Sequence, residues 1–121
     1  NVDINFINAD IFDYQTDKKY DIIVSNPPYV KESEKVLMKK NVLEYEPKQA
    51  LFVKNNDPLI FYKAILNFSK KSLLKNGKIY FEINQAYNNK IKDLCYEYGY
   101  CKIECRKDLF GKYRYLQINN N

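Results

Sequence analysis

The stretch DIIVSNPPYV, residues 21–30, decides the fold of this sequence. It opens with an acidic residue, continues through three β-branched apolar residues and then meets two consecutive prolines. Apolar residues on both faces of Tyr20–Ser25 are typical of an interior strand in a parallel sheet. Proline has a fixed φ and no backbone N–H, so the two prolines must end this strand. The pattern therefore predicts a loop just past the strand, with Asn26 and Tyr29 held on it.

The bulk composition indicates an ordinary globular domain, or part of one. The chain has 121 residues, of which 45% are hydrophobic and 29% charged. No apolar run approaches the roughly 20 residues of a membrane helix, and no signal peptide is visible. The net charge is +5, but the lysines are scattered, which favours a solvated surface over a nucleic-acid-binding patch. We therefore expect a protein that neither crosses a membrane nor carries a concentrated basic face.

The cysteines and the missing histidine limit the chemistry further. The chain has three cysteines, Cys95, Cys101 and Cys105, an odd number whose spacing matches no zinc motif. It has no histidine. We interpret them as free thiols in a reducing cytoplasm and expect no metal site. Without histidine, the commonest general base is also absent, so any catalysis must proceed by other means.

The remaining pattern alternates strands and helices. Residues 2–8 alternate as a strand, and residues 34–40 have the pattern of a short helical piece. Asp57 and Pro58 are typical of a helix start, and Gly77 is expected to end that helix. The further elements are a strand over residues 77–83, a helix over residues 87–98 closed by Gly99, and a hairpin of residues 101–107 and 113–119. The apolar stripes of the two helices are read as core: Phe61, Ala64, Ile65 and Phe68 in the first, and Tyr87, Ile91, Leu94, Cys95 and Tyr98 in the second.

This order of elements predicts an α/β fold, a mostly parallel sheet that ends in an antiparallel hairpin. The three glycines are Gly77, Gly99 and Gly111, and none forms the G-x-G-x-x-G turn that nucleotide-type cofactors normally require. The sequence also begins directly in the predicted strand. We therefore interpret the chain as the C-terminal portion of a larger α/β domain.

The loop after the central strand suggests a specific chemistry. Ligands of open α/β sheets bind beyond the carboxyl ends of the strands, where Asn26–Tyr29 is expected. The Asn26 side-chain oxygen and the Pro27 carbonyl could each accept a hydrogen from a planar NH₂ group, and Tyr29 could pack on its flat face. Such acceptors would position the nitrogen for attack without an ionisable base. The alternative is a strand-ending turn with no chemical role.

These residues resemble a known family. Asn-Pro-Pro-Tyr after such a strand is the signature of methyltransferases that modify amino or amide nitrogen with S-adenosylmethionine. Within them the sequence is most similar to the release-factor glutamine methyltransferases (the PrmC/HemK family). The resemblance extends almost from end to end. It is carried by ADIF at 9–12, YDIIVSNPPYV at 20–30, YEPKQALF at 45–52, DPLIFYKAI at 57–65, GKIYFEI at 77–83 and RKDLFGKYR at 106–114.

The resemblance implies a fold and a set of site residues. The fold is the C-terminal part of a Rossmann-like class I S-adenosylmethionine-dependent methyltransferase. Residues 1–121 would form a partial catalytic domain that lacks the glycine-rich cofactor loop and the N-terminal helical domain. The implied catalytic residues are Asn26, Pro27 and Tyr29; the cofactor would be bound by Asp10, Ile11 and Asn26, and the substrate by Asn26, Pro27, Pro28, Tyr29, Glu46 and Pro47.

Several alternatives stay open at the level of sequence. Asp10 could accept from the adenine amine while Ile11 covers the ring, or Asp10 could simply form an Asx-turn. Glu46 could shape the substrate pocket or be a plain loop carboxylate. Asn84-Gln85 departs from the family, in which a small residue or histidine and glycine often follow the strand.

The implied function is methylation of the glutamine N5 in the Gly-Gly-Gln motif of peptide chain release factors, which would be the protein partners. One alternative is an amino-N methyltransferase of adenine or guanine in RNA or DNA; another is a non-catalytic binding module. The expected carboxylates around the motif, Glu32, Glu34, Glu44 and Glu46, disfavour a nucleic-acid substrate because they would repel its phosphates.

Overall fold

The computed structural model describes residues 1–29 and 57–121 of the chain. The predicted helical piece at residues 34–40 lies outside these described residues. In chain order the elements are strand β1 (Tyr20–Ser25), helix α1 (Ile60–Ser72), strand β2 (Leu73–Glu82), a 3-10 turn (Gln85–Tyr87), helix α2 (Asn88–Glu97), strand β3 (Lys102–Lys107) and strand β4 (Tyr113–Asn119). Within the two described segments, no helix is long and apolar enough to cross a membrane.

The strands form one mixed sheet with the order β1-β2-β4-β3. β1 runs parallel to β2, as predicted, whereas β4 is antiparallel to both β2 and β3. The predicted antiparallel hairpin is confirmed. Because β4 lies between β2 and β3 and is antiparallel to both, β3 runs in the same direction as β1 and β2. Three of the four described strands thus share one direction, as expected for a mostly parallel sheet that ends in an antiparallel hairpin.

The hydrophobic core lies on one face of the sheet, under both helices. Ile79 of β2 pairs with Ile118 of β4, and Phe81 pairs with Leu116, so these four side chains share that face. All four are completely buried. The core residues contributed by the helices are Tyr62, Ile65 and Leu66 of α1 and Ile91, Leu94 and Cys95 of α2.

The helical stripes predicted as core are confirmed only in part. Ile65 is buried as predicted, but Phe61 and Phe68 are half-buried, while Tyr62 and Leu66 carry the burial instead. The stripe of α2 is buried at its centre, and its end residues Tyr87 and Tyr98 are half-buried. In both helices, packing against the sheet determines which face is buried. The spacing of apolar residues in the sequence predicts that face only approximately.

The opposite face of β1 is open to solvent in the described part of the protein. Ile22 is 55% exposed and Val24 74% exposed, and β1 lies at the edge of the four-stranded sheet. The expected interior strand with two buried faces is therefore not observed. The predicted strand over residues 2–8 is likewise wrong, since the structure has no strand there and Phe6 is 91% exposed. A strand needs a neighbouring backbone, and none of the described residues pairs with this segment.

The first helix starts near the predicted place but ends earlier. Asp57 Oδ1 accepts a hydrogen bond of 2.9 Å from the Leu59 N–H, and the helix begins at Ile60. It ends at Ser72, so the prediction that Gly77 stops it is wrong: Gly77 lies inside β2.

The second helix ends as predicted. Gly99 has a φ of +91°, its N–H bonds the Tyr96 carbonyl at 2.9 Å, and the Tyr100 N–H bonds the Cys95 carbonyl at 3.1 Å. This left-handed glycine satisfies the last carbonyls of α2 and turns the chain toward β3.

Candidate functional site

A cavity of about 270 Å³ lies where three strand ends meet. The loop after β1 and the residues after β2 reach this edge because the two strands are parallel, and the start of β4 reaches it because β4 is antiparallel. The lining residues are Asn26, Pro27, Pro28, Tyr29, Tyr62, Glu82, Ile83, Asn84, Tyr87 and Arg114. The four loop residues predicted from the Asn-Pro-Pro-Tyr motif are thus brought together at one cavity.

Within the motif, burial differs sharply between neighbours. Pro27 is buried, which anchors the loop, whereas Asn26 is exposed. None of the side-chain hydrogen bonds found within residues 1–29 and 57–121 engages the Asn26 amide. The amide oxygen and nitrogen are therefore available to a molecule that enters the cavity.

Two aromatic rings form one wall of the cavity. The rings of Tyr29 and Tyr87 are stacked, with centroids 3.5 Å apart and planes inclined by 5°. One face of Tyr29 is therefore covered, so a flat ligand must pack on its other face or displace Tyr87. Sequence reasoning missed this role because it assigned Tyr87 to the core stripe of α2. The signal that could have found it is its position shortly after the end of β2, at the same edge of the sheet.

Tyr62 contributes a buried hydroxyl group beside the cavity. Its hydroxyl donates to the carbonyl oxygen of Glu82 at 3.3 Å. Burial, together with the negative charge of Glu82, raises the pKa of Tyr62 to about 12. The hydroxyl therefore stays protonated at neutral pH, where it is a hydrogen-bond donor and cannot serve as a base.

Arg114 brings a positive charge to the cavity, and the hairpin loop positions it. Its Nε lies 3.4 Å from Asp108 Oδ2, and its carbonyl accepts from the Ile83 N–H at 2.7 Å. The hydrogen bond from the Lys112 N–H, aided by the Phe110 N–H and by Arg114, lowers the pKa of Asp108 below its usual value. Asp108 is thus a carboxylate at neutral pH that orients the guanidinium group.

The unusual pair Asn84-Gln85 has a structural role at the rim. Asn84 Oδ1 accepts from the Ala86 N–H at 2.9 Å and so caps the 3-10 turn that carries Tyr87. Gln85 Oε1 accepts from the Tyr113 N–H at 3.1 Å and ties this turn to the start of β4. The two side chains therefore fix the 3-10 turn against the start of β4 at the rim of the cavity.

The residues predicted to hold adenine lie elsewhere. Asp10 Oδ1 accepts from the Phe12 N–H at 3.0 Å, which is the Asx-turn considered as the alternative. Ile11 lines a second, wider groove along α1, together with Ala64 and Phe68. Neither Asp10 nor Ile11 borders the cavity at Asn26. Their role in cofactor binding stays a prediction, and the predicted substrate residues Glu46 and Pro47 lie outside the described residues.

The three cysteines are free thiols and stand apart from the cavity lining. Burial raises the pKa of the Cys95 thiol to about 12, so this thiol is neutral and unreactive at physiological pH. Among the described residues, no cluster of histidine, cysteine and carboxylate side chains has the arrangement of a metal site.

Comparison with known proteins identifies close relatives. The chain is 44% identical over 119 residues to a release factor glutamine methyltransferase of Flavobacterium psychrophilum, covering 98% of this chain and 42% of the relative. It is 46% identical over 118 residues to the protein of the same name from Bacteroides thetaiotaomicron, covering 96% of this chain and 42% of the relative. A bifunctional methyltransferase of Rickettsia bellii is 34% identical over 116 residues, with 96% of this chain and 21% of the relative covered.

The match therefore extends over nearly all of this chain and over 42% of the length of the first two relatives, in their C-terminal part. No family model matches the sequence. No solved structure matches it either.

Proposed function

We propose that this chain, a relative of the release factor glutamine methyltransferases that corresponds to their C-terminal part, contributes the substrate-binding edge of such an enzyme. The reaction is the transfer of a methyl group from S-adenosylmethionine to the side-chain nitrogen of a glutamine in a release factor. The fold proposed for the whole catalytic domain is the Rossmann-like class I arrangement, of which the mixed sheet would form one side. The observation that carries the proposal is the cavity lined by Asn26, Pro27, Pro28 and Tyr29.

The residues at the cavity fit the reacting groups. A glutamine side chain ends in a planar NH₂ group that needs hydrogen-bond acceptors, and the uncommitted Asn26 amide supplies one. The Pro27 carbonyl supplies a second, and burial of this proline keeps its direction constant. S-adenosylmethionine supplies the methyl group as an electrophile on a positively charged sulfur, and aromatic rings such as Tyr29 favour nearby cationic groups. The cavity therefore suits both the amide and the reacting end of the cofactor.

These residues would act by positioning and electrostatics. An amide nitrogen is a poor nucleophile because its lone pair is delocalised into the carbonyl group. Two fixed acceptors on its hydrogens would orient the nitrogen and stabilise the positive charge that would develop on it when the bound cofactor supplies its methyl group. The released proton passes to solvent. Tyr62 takes no part as a base, because the raised pKa keeps it protonated.

The lining of the cavity bears on the kind of substrate. About 270 Å³ accommodates the amide end of a glutamine. A flipped purine would have to pack on the other face of Tyr29 or displace Tyr87, whose ring covers one face of Tyr29 at 3.5 Å. Arg114 is the one cationic residue that lines the described part of the cavity, while tracking of a phosphate backbone normally requires several.

The test is methyl transfer by the full-length protein from radiolabelled S-adenosylmethionine. Purified release factor, RNA and DNA are offered separately over a series of salt concentrations. We expect labelling of the release factor with only a modest dependence on salt. A release factor whose Gly-Gly-Gln glutamine is replaced by alanine serves as the matched control and should remain unlabelled. Labelling of RNA or DNA that collapses with salt, without labelling of the release factor, would assign the chain to the nucleic-acid methyltransferases instead.

A further inference from the structure

Two highly exposed apolar side chains lie at the tip of the β3–β4 hairpin. Leu109 is 101% exposed and Phe110 is 88% exposed, although both are large and hydrophobic. Removing such side chains from water is favourable, because the hydrophobic effect scales with the apolar area that is buried. Adjacent exposed apolar residues of this size indicate an interaction site.

The tip is rigidly held by hydrogen bonds. Asp108 Oδ1 accepts from the Phe110 N–H at 2.8 Å and from the Lys112 N–H at 3.1 Å. The Asp108 N–H bonds the Lys112 carbonyl at 2.8 Å, and the Gly111 N–H bonds the Asp108 carbonyl at 3.1 Å. Gly111 has a φ of +79°, which closes the loop. The two apolar side chains are thus presented from a preorganised loop, which reduces the entropy lost on binding.

The same loop is connected directly to the cavity. Asp108 Oδ1 accepts a hydrogen bond from the Phe110 N–H at the tip, and Asp108 Oδ2 accepts one from the Arg114 side chain. Arg114 in turn lines the cavity. One side chain therefore joins the base of the tip to the cavity wall. A macromolecule with one side chain in the cavity would therefore lie against the hairpin that carries Leu109 and Phe110.

The charge around the tip indicates the character of the partner. Residues 102–115 contain five cations and two carboxylates. Both carboxylates are engaged with cations of the hairpin, Glu104 with Arg106 and Asp108 with Arg114. Of the remaining cations, Lys107 and Lys112 flank the tip, whereas Lys102 lies at the far end of β3. An apolar pair with surplus positive charge is complementary to an apolar depression bordered by carboxylates.

We propose that Leu109 and Phe110 form a docking anchor for the folded protein substrate. They would insert into an apolar, carboxylate-bordered depression on the release factor, next to the loop that carries the methylated glutamine. This inference rests on the proposed function, because it names the second contact of the same substrate. The anchor contributes to binding of the whole protein, while the cavity binds the glutamine itself.

The experiment compares a folded substrate with a short one. In the full-length protein, Leu109→Ser and Phe110→Ser are combined, and methyl transfer is measured on the intact release factor and on a short peptide that contains Gly-Gly-Gln. We expect KM for the intact release factor to rise at least about tenfold, which corresponds to about 1.4 kcal/mol, while kcat and the kinetics on the peptide stay unchanged. The matched control is Tyr96→Ser, which removes an aromatic side chain that is 48% exposed on α2 and should change neither substrate's kinetics.

Each other outcome has a defined meaning. Unchanged KM for the intact release factor would overturn the inference alone, and so would an equal loss on the peptide. A lower melting temperature of the full-length double variant would show that another part of the same protein covers the tip. Loss of RNA binding instead of release-factor binding would assign the tip to a nucleic acid. If the unsubstituted protein fails to label any release factor, the proposed function itself is overturned, and this inference with it.

Discussion

Asn26 is the residue on which the proposed chemistry depends most directly. Replacement by alanine removes one acceptor from the reacting nitrogen, and the exposed position of this side chain means that the fold should be retained. Loss of one preorganised polar contact of this kind lowers turnover by about 10²–10³. Asn26→Asp should retain part of the activity, because a carboxylate still accepts a hydrogen bond.

The measurement is kcat for methyl transfer to release factor by the full-length variants. Asn89→Ala removes the same side chain from an exposed position on α2 and provides the control. Unchanged turnover in Asn26→Ala would exclude the positioning mechanism.

At the same scale, the sequence predicts some site residues and not others. The two prolines predict where β1 ends, and hence that Asn26 and Tyr29 lie at the cavity. Arg114 could not be predicted in this way. It reaches the cavity because β4 pairs antiparallel with β2, which brings the start of β4 to that edge of the sheet. That pairing depends on long-range packing, which leaves no local pattern around Arg114. Tyr87 is intermediate: it is half-buried against the core, as its apolar spacing predicts, and its ring also stacks on Tyr29.

Gly77 shows how the elements are fitted together. A Cβ atom at this position would lie 2.8 Å from the Leu74 carbonyl oxygen and 2.9 Å from the Asp21 carbonyl oxygen. Both neighbours are backbone atoms, which cannot move without disturbing the pairing of β1 and β2. Gly77→Ala should therefore destabilise the protein by about 1–3 kcal/mol, the usual cost of overpacking.

Urea unfolding of the full-length variant measures this loss as a lower midpoint. Lys75→Ala is the control, since Lys75 is exposed and only two residues away in the same strand. Equal midpoints for the two variants would show that the backbone can relax around the added methyl group.

The same glycine explains the main error in predicting the elements. Glycine after a helical pattern normally indicates a left-handed helix end, but here Asn76 adopts the positive φ, of 67°, and Gly77 allows a close approach of backbones. The helix ends earlier because the backbone turns extended at Leu73, whose side chain is buried in the core. Where the local signal and the tertiary packing agree, as at Gly99, the sequence predicts the boundary correctly.

At the scale of the whole molecule, the described sheet is covered by helices on one face only. The exposed apolar residues of β1, Ile22 and Val24, lie on the other face. The relatives are more than twice as long as the matched region, which covers 42% of their length. Periodicity alone predicted that β1 would be buried on both faces, whereas one face of this strand is exposed in the described sheet.

The last prediction concerns binding of S-adenosylmethionine by a chain of these 121 residues alone. Tight binding of such cofactors normally uses the backbone N–H groups of a glycine-rich turn, and none of the three glycines here belongs to one. Gly77 is packed inside β2, Gly99 closes α2 and Gly111 closes the hairpin loop, so each already has a structural role. The Asp10 carboxylate, the predicted adenine contact, also bonds its own turn.

We therefore expect weak binding by the 121-residue chain and much tighter binding by the full-length protein, compared by calorimetric titration under the same conditions. Asn26→Ala in the full-length protein separates the two parts of the site: it should reduce turnover far more than cofactor affinity, because Asn26 is assigned mainly to the reacting nitrogen. Micromolar affinity in the 121-residue chain would show that the cofactor contacts lie within these residues, and the groove lined by Ile11 along α1 would then be the place to search for them.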